Sequence, residues 1–474
     1  MKIIIVGGNH AGVAAALRIK ELYPEDEVVL FEKRNEVTFV SQTIPLFLMG
    51  KQTLAKQANY VTPKELADKG VVVHLNTEVL DIQSKIKKVV YQKEGQRISE
   101  DIFYDRLILA TGSYPLLPPT GGKRNETLFL LKDRTDAEAI AAFLTEAKSA
   151  VVIGGGLVGV EISRILTQRG IAVTLVEANP HLLTRYLDDK ASLEVEAQLK
   201  REGIDVLTGM RASSYHTAER RIIHKKSVTV TMTNGKKVQT DGVFISIGFR
   251  PSSHLLAGQV TLGDRGAIVV DPYMYTSDPD ILAVGDCATT HLDLLGEDVY
   301  NPHASDALRQ GLIAGINVHS RRQPISFTTG TYKFNMDGYT IASTGITLSQ
   351  AVEKGYDAAE VSYHNSYLAD ARPSYYDNTG SFYVKDQKSD TPYIQIFCIY
   401  EKGTKKILGL QVLGTIDVSQ YTNIISLAIS QGLTADAIEF TDFFYEHGYK
   451  DPIGFTKIIA KKIRENESEG MADE

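Results

Sequence analysis

MKIIIVGGNHAG, residues 1–12, is the stretch on which the reading of this chain turns. Residues 2–6 are a continuous apolar run rich in β-branched side chains, which suits a parallel-sheet strand buried on both faces. A glycine turn leads into AGVAAALRIKEL, apolar at helical spacing, and residues 27–31 read as the next strand, ending on Glu32. That carboxylate stands about 20 positions past the last turn glycine, so a pyrophosphate is expected on the helix N-terminus and ribose hydroxyls on Glu32. The glycine spacing is Gly7, Asn9, Gly12, which lacks the usual middle glycine. A plain glycine turn in an α/β domain is the alternative reading.

A second copy strengthens the first. Residues 150–153 form a strand, GGGLVGVE supplies Gly154, Gly156 and Gly159, a helix follows to about Arg169, and residues 171–176 lead to Glu177. Here every glycine and the acidic residue are in place. Glu177 would pair with an adenosine 2′-hydroxyl and repel a 2′-phosphate, and ANPHLL after it offers no Arg or Lys. The second site is therefore expected to take NADH in preference to NADPH.

Composition narrows the rest. The 474 residues are too many for one ordinary core, and 43% hydrophobic with 23% charged residues describes a water-soluble globular chain. A net charge of −7 argues against nucleic acid and acidic membranes as partners and for small molecules. Cys287 and Cys398 are the only cysteines, which excludes a disulfide framework and a CxxC pair. A strand at the very start and no apolar run near about 18 residues predict a cytoplasmic protein.

Further strands frame the repeats. YDRLILATG (104–112) ends in a small-residue turn, and GVFISIG (242–248) repeats it after the second unit. DILAVGDCA (280–288) ends in Gly285 and Asp286, a carboxylate suited to a polyol such as ribityl or, alternatively, to capping a helix over 303–318. From residue 328 the pattern changes to antiparallel strands (337–343, 393–400, 407–414) and a helix at 418–431. SYLADARPSYYDNTGS (366–381) reads as an aromatic-rich loop, and the acidic ENESEGMADE (465–474) is expected to be disordered.

Taken in order, GGNHAG, LFEK, YDRLILATG, GGGLVGVE, ISIGFRP, DILAVGDCA, SDALRQG and FTDFFY…DP resemble the pyridine nucleotide-disulfide oxidoreductases over residues 1 to about 462. The likeness is greatest to the branch holding NADH oxidase, NADH peroxidase and coenzyme A-disulfide reductase. It implies an α/β architecture of two Rossmann-like domains and a C-terminal α+β dimerisation domain. Residues 1–115 and 250–325 would form a split FAD domain, 116–249 an NAD(H) domain, 326–462 the interface domain of a homodimer, and 463–474 the acidic tail. On the same ground Gly7, Asn9, Gly12, Glu32, Lys33, Thr111, Gly112 and Asp286 would hold FAD. Gly154, Gly156, Gly159 and Glu177 would hold NADH, and Gly248 joins the cofactor-binding set.

In that branch FxxC sets a cysteine against the flavin. Aligning Phe39 and Gly50 puts Gln42 there, and a carboxamide is neither redox-active nor nucleophilic at neutral pH. Thiol-based disulfide and peroxide reduction are thereby argued against. His10, which faces the cysteine in the family, would either form a polar pocket with Gln42 on the flavin or be a helix-cap histidine. Glu161 is carried over as a group near nicotinamide and flavin, with a carboxylate complementing the helix dipole as its alternative. The lid tyrosine common in the family is Leu157 here.

The expected activity is an FAD-dependent NADH oxidase giving hydrogen peroxide. Two alternatives stay open: NADH-dependent reduction of a quinone or other organic acceptor, and a catalytically quiet FAD/NADH-binding sensor or interaction protein. Coenzyme A stays open as a ligand. Tyr445 and His447, in FTDFFYEHGYKDP, are candidates to reach the partner's flavin or to pack the interface.

Overall fold

The computed structural model describes residues 1–41, 43–51, 59–118, 127–220, 225–335, 338–366, 393–415, 417, 419–443 and 454–470. Gln42, Tyr445, His447 and nearly all of the 366–381 loop lie outside the described residues.

Two five-stranded parallel sheets carry the chain's first two thirds. In the first, strands run in the order Ile281–Ala283, Arg106–Leu109, Lys2–Val6, Glu27–Phe31, Val71–His74. In the second the order is Leu128–Phe129, Gly242–Ile245, Ser149–Ile153, Ala172–Val176, Asp205–Leu207. Each glycine turn leaves a central strand, as the apolar runs predict: Ile3, Ile4 and Ile5 are wholly buried because neighbours cover both sheet faces. Truncating any one to alanine would cost about 2–5 kcal/mol.

The repeat goes deeper than the turns. Each unit inserts a three-stranded antiparallel sheet after its edge strand: Thr77–Gln83, Lys88–Lys93 and Glu100–Phe103 lie between Val71–His74 and Arg106–Leu109, and Ala212–Arg220, Lys225–Met232 and Lys237–Thr240 lie between Asp205–Leu207 and Gly242–Ile245. The chain leaves the first sheet after Leu109, builds the second, and returns to add Ile281–Ala283 at the first sheet's edge. The outgoing and returning segments pair as short antiparallel strands, Ser113–Pro115 with Phe249–Pro251.

Helix His10–Leu22 is clamped between the first sheet and helix Ala304–Asn317. The contact is close because of glycine: a Cβ on Gly311 would stand 2.3 Å from the Ala11 carbonyl oxygen. This approach brings the N-termini of both helices to the same cleft.

The C-terminal region is a five-stranded antiparallel sheet in the order Tyr332–Asn335, Thr340–Gly345, Ile407–Gly414, Tyr393–Glu401, Ala358–Ser366. Helices Gln420–Ser430 and Phe455–Gly470 cover one face. The expected disorder of the acidic tail is corrected here, since the last helix continues to Gly470. Buried Phe455, Ile459 and Ile463 nucleate it, and the polar residues that follow find partners. Arg464 makes a two-pronged ion pair with Glu439 at 2.8 and 2.9 Å, and the Gly403 N–H donates to Glu467 at 2.8 Å. Residues 471–474 lie outside the described residues.

Candidate active site

The first turn is built by contacts only glycine allows. Gly7 has φ +112° and its N–H donates to the Phe31 carbonyl at 2.8 Å; a Cβ there would be 2.2 Å from the Ala110 oxygen. A Cβ on Gly12 would be 1.9 Å from the Gly7 oxygen. The next amide is held by the acidic residue: Gly8 N–H donates to Glu32 Oε2 at 2.7 Å and Arg34 N–H to Oε1 at 2.9 Å. Glu32 is thus the strut that braces the turn, with lone pairs left for a ribose.

The second turn repeats this atom for atom. Gly154 has φ +106° and a Cβ would stand 2.3 Å from the Ser246 oxygen; on Gly159 it would stand 1.8 Å from the Gly154 oxygen. Gly155 N–H donates to Glu177 Oε2 at 2.5 Å and Asn179 N–H to Oε1 at 2.7 Å. Both units also hold a buried non-glycine residue in the left-handed region, Thr38 at φ +56° and Leu183 at +55°, whose N–H donates to Gly8 or Gly155 oxygen at 2.9 Å. Such conformations cost roughly 1–3 kcal/mol and persist where the surroundings over-determine them. Nothing in the residue types at 38 and 183 announces that pairing.

A continuous cleft of about 1250 Å³ joins the two turns. Of the residues expected to bind the first cofactor, Gly7, Asn9, Glu32, Lys33, Thr111, Gly112 and Asp286 line it. Gly154, Gly156, Glu177 and Gly248 line it from the other side, and so do His10 and Glu161. Gly12 and Gly159 do not, being packed beneath their turns. Gln42 is outside the described residues, but Ser41, Ile44 and Pro45 line the cleft. Phe39, Ile44 and Leu48 anchor that segment in one core with Ile162 and Leu166 of the second unit and Phe397 of the C-terminal sheet.

Asp286 is not a helix cap, because helix Ala304–Asn317 is capped at His303. Its Oδ2 instead accepts from Ser113 Oγ at 2.7 Å and from Lys132 Nζ at 3.3 Å, and Lys132 also donates to Ser113 Oγ at 2.9 Å. Lys132, poised over the Phe249 ring, and Ser113 were not legible as site residues, since neither sits in a spaced motif. Glu161 lies past the first turn of helix Leu157–Gln168. Among the described residues its carboxylate has no hydrogen-bond or ionic partner, and burial pushes its pKa up to about 8. That burial disfavours the charged carboxylate that would complement a helix dipole. His10 Nδ1 lies 3.1 Å from the Tyr60 hydroxyl, and burial holds the imidazole below its ordinary value.

The cleft's chemistry fits FAD and a nicotinamide dinucleotide. It exceeds the usual 300–1,000 Å³ of a one-ligand pocket, as two dinucleotides require. Its lining residues include Asn9 and His303, whose Oδ1 and Nε2 atoms are buried with no hydrogen-bond partner among the described residues. Each such atom costs about 1–3 kcal/mol unless the cleft's contents satisfy it. Among the described residues no cysteine lines the cleft: Cys287 is wholly buried with Sγ against the Leu109 and Val284 carbonyls, and Cys398 is buried in the C-terminal sheet. No cluster of three or more His, Cys, Asp or Glu side chains suited to a metal is found there, and no helix is long and apolar enough to cross a membrane, again among the described residues.

The sequence model for pyridine nucleotide-disulphide oxidoreductases matches residues 1–311, and the model for that family's dimerisation domain matches residues 336–447. The chain belongs to the pyridine nucleotide-disulphide oxidoreductase family. Within it the chain is an NADH oxidase-like flavin oxidoreductase. It is 31% identical to an NADH oxidase of Enterococcus faecalis over 98% of this chain and 100% of the relative. It is 27% identical to an NAD(P)H coenzyme A polysulfide/persulfide reductase of Pyrococcus horikoshii over 94% of both. The solved structure of a water-forming NADH oxidase from Lactobacillus brevis, bound to NADH, superposes with a TM-score of 0.89 at 28% identity, covering 99% of this chain and 100% of that one.

Proposed function

We propose that this chain is an FAD-dependent NADH oxidase whose product is hydrogen peroxide. The observation that carries the reading is the shared cleft, which brings both braced glycine turns together and has no cysteine among its described lining residues. FAD, when bound, accepts the hydride of NADH and passes the electron pair to oxygen. The first turn and Glu32 would hold its pyrophosphate and ribose, with Asp286, fixed by Ser113 and Lys132, as the acceptor for its polyol chain. The second turn and Glu177 would seat NADH. A carboxylate there disfavours a 2′-phosphate. Glu161, which burial biases toward its protonated form, would offer the nicotinamide a hydrogen-bond donor.

Gln42 sets the product. If it occupies the position of the family's cysteine, no thiol is present to reduce peroxide onward, which separates this chain from the water-forming oxidase it resembles. The dimerisation domain supports a homodimer. The test is direct: purified protein is mixed with NADH under air and peroxide is quantified. Near one peroxide per NADH is expected; NADH consumption without near-stoichiometric peroxide defeats the reading.

A further inference from the structure

Turnover by the route proposed above needs a proton as well as a hydride: NADH, H⁺ and O2 give NAD⁺ and H2O2. The hydride supplies two electrons and one hydrogen of the product, so the second hydrogen must reach the cleft from solvent. His10 lines the cleft, and its Nδ1 is 3.1 Å from Tyr60 Oη, with the two rings stacked at 3° and their centroids 5.6 Å apart. Tyr60 does not line the cleft and is 48% exposed. The pair therefore spans the wall, with the half-exposed tyrosine on the solvent side, its phenol pKa raised by partial burial, and the imidazole inside.

The placement of Tyr60 is built rather than incidental. Its neighbour Val61 is bonded twice to the strained, buried Thr38, the Thr38 hydroxyl donating to the Val61 carbonyl at 2.8 Å and the Val61 N–H donating back at 3.2 Å. On the other flank the Asn59 amide donates to the Val37 carbonyl. The backbone on both sides of Tyr60 is thus pinned to the segment that braces the first turn.

We infer that Tyr60 and His10 form a proton relay that carries the proton of oxygen reduction from solvent into the cleft. His10 Nε2–H gives its proton to the reduced oxygen while Tyr60 Oη–H gives its own to Nδ1, and water reprotonates the phenolate. The imidazole regains its starting tautomer by exchange with water when product leaves. His10 stays neutral to do this because burial lowers its pKa, an effect that Lys132 reinforces and Asp286 opposes. Tyr60 acts through His10 and is a positioning and relay residue. The inference rests on oxygen being the acceptor.

Tyr60→Phe tests it. With the flavin-loaded protein, anaerobic bleaching by NADH should be unchanged while reoxidation by O2 slows about tenfold, the low end of general-acid effects. Independently, in ¹⁵N-histidine-labelled protein the His10 Nδ1 resonance should shift when the phenol is removed. Reoxidation within about twofold of wild type, an unmoved His10 signal, or equal slowing of both half-reactions each overturns the relay. Wild-type protein that makes no peroxide overturns the oxidase reading itself, which the Tyr60→Phe comparison leaves distinguishable.

Discussion

The two glycine turns agree in backbone and differ in side chains. Gly7 and Gly154, Gly12 and Gly159, Glu32 and Glu177, and Thr38 and Leu183 play the same parts at nearly the same distances. They part at the next positions, where Asn9 and His10 stand opposite Gly156 and Leu157. Asn9 has φ −99° and Gly156 has φ −76°, so neither position needs a glycine for its backbone, and a Cβ on Gly156 would meet nothing within 4 Å. The outer glycines are demanded by the protein's own carbonyls. The middle one answers only to what docks in the cleft.

The largest effect should come from the outer positions. Gly7→Ala and Gly154→Ala drive a Cβ into a carbonyl from a positive φ, and each should cost several kcal/mol. Gly7→Ala should purify without flavin, read as loss of yellow absorbance. Gly154→Ala should keep flavin but fail to bleach with NADH. Yellow, NADH-responsive protein from either would break the comparison.

Next in size is Gln42→Cys. A thiol at that position should lower peroxide per NADH from near one, measured in the same assay; an unchanged yield would mean residue 42 does not face the reacting atoms. Gly156→Ala should then sharpen the distinction between outer and middle glycines. Its melting temperature should hold within about 2 °C while NADH affinity, by titration of the bleaching, falls about tenfold.

The smallest effect concerns Glu161, whose counterpart in the first unit is the buried Ala14. An acid whose folded pKa is raised from 4.5 to about 8 holds its proton more tightly folded than unfolded. Its stabilising contribution is intact below about 4.5 and is lost as pH rises through 8. Glu161→Gln should therefore flatten the fall in melting temperature between those limits, a difference of at most a few kcal/mol given the cleft's access to solvent, and should remove an inflection near pH 8 in kcat/KM. A pH profile identical to wild type would show that Glu161 titrates normally.

The repeats were legible because both constraints are local. A strand buried on two faces demands an apolar run, and a turn packed on its own carbonyls demands glycine at fixed spacing. Asp286 was found the same way, at the end of an apolar strand. Lys132 and Tyr60 were not, because one reaches its carboxylate across 154 positions and the other its histidine across 50. The tail was misread for a related reason. ENESEGMADE has no apolar period of its own, but the helix that buries Phe455, Ile459 and Ile463 continues through it to Gly470, with Asn466 donating to the Tyr400 hydroxyl and Glu467 accepting from the Gly403 amide.

By itself the sequence determined that two dinucleotide units stand in one chain, that each has a carboxylate at the ribose-binding spacing, and that residue 42 is an amide. Those properties are written in residue type and short spacing. Only the tertiary structure decided that both turns open into one cleft, that burial there favours the protonated form of Glu161 while Glu177 braces a turn, and that His10 meets a half-exposed tyrosine. Desolvation and hydrogen bonding depend on which distant segments close over a side chain, and that is set by packing.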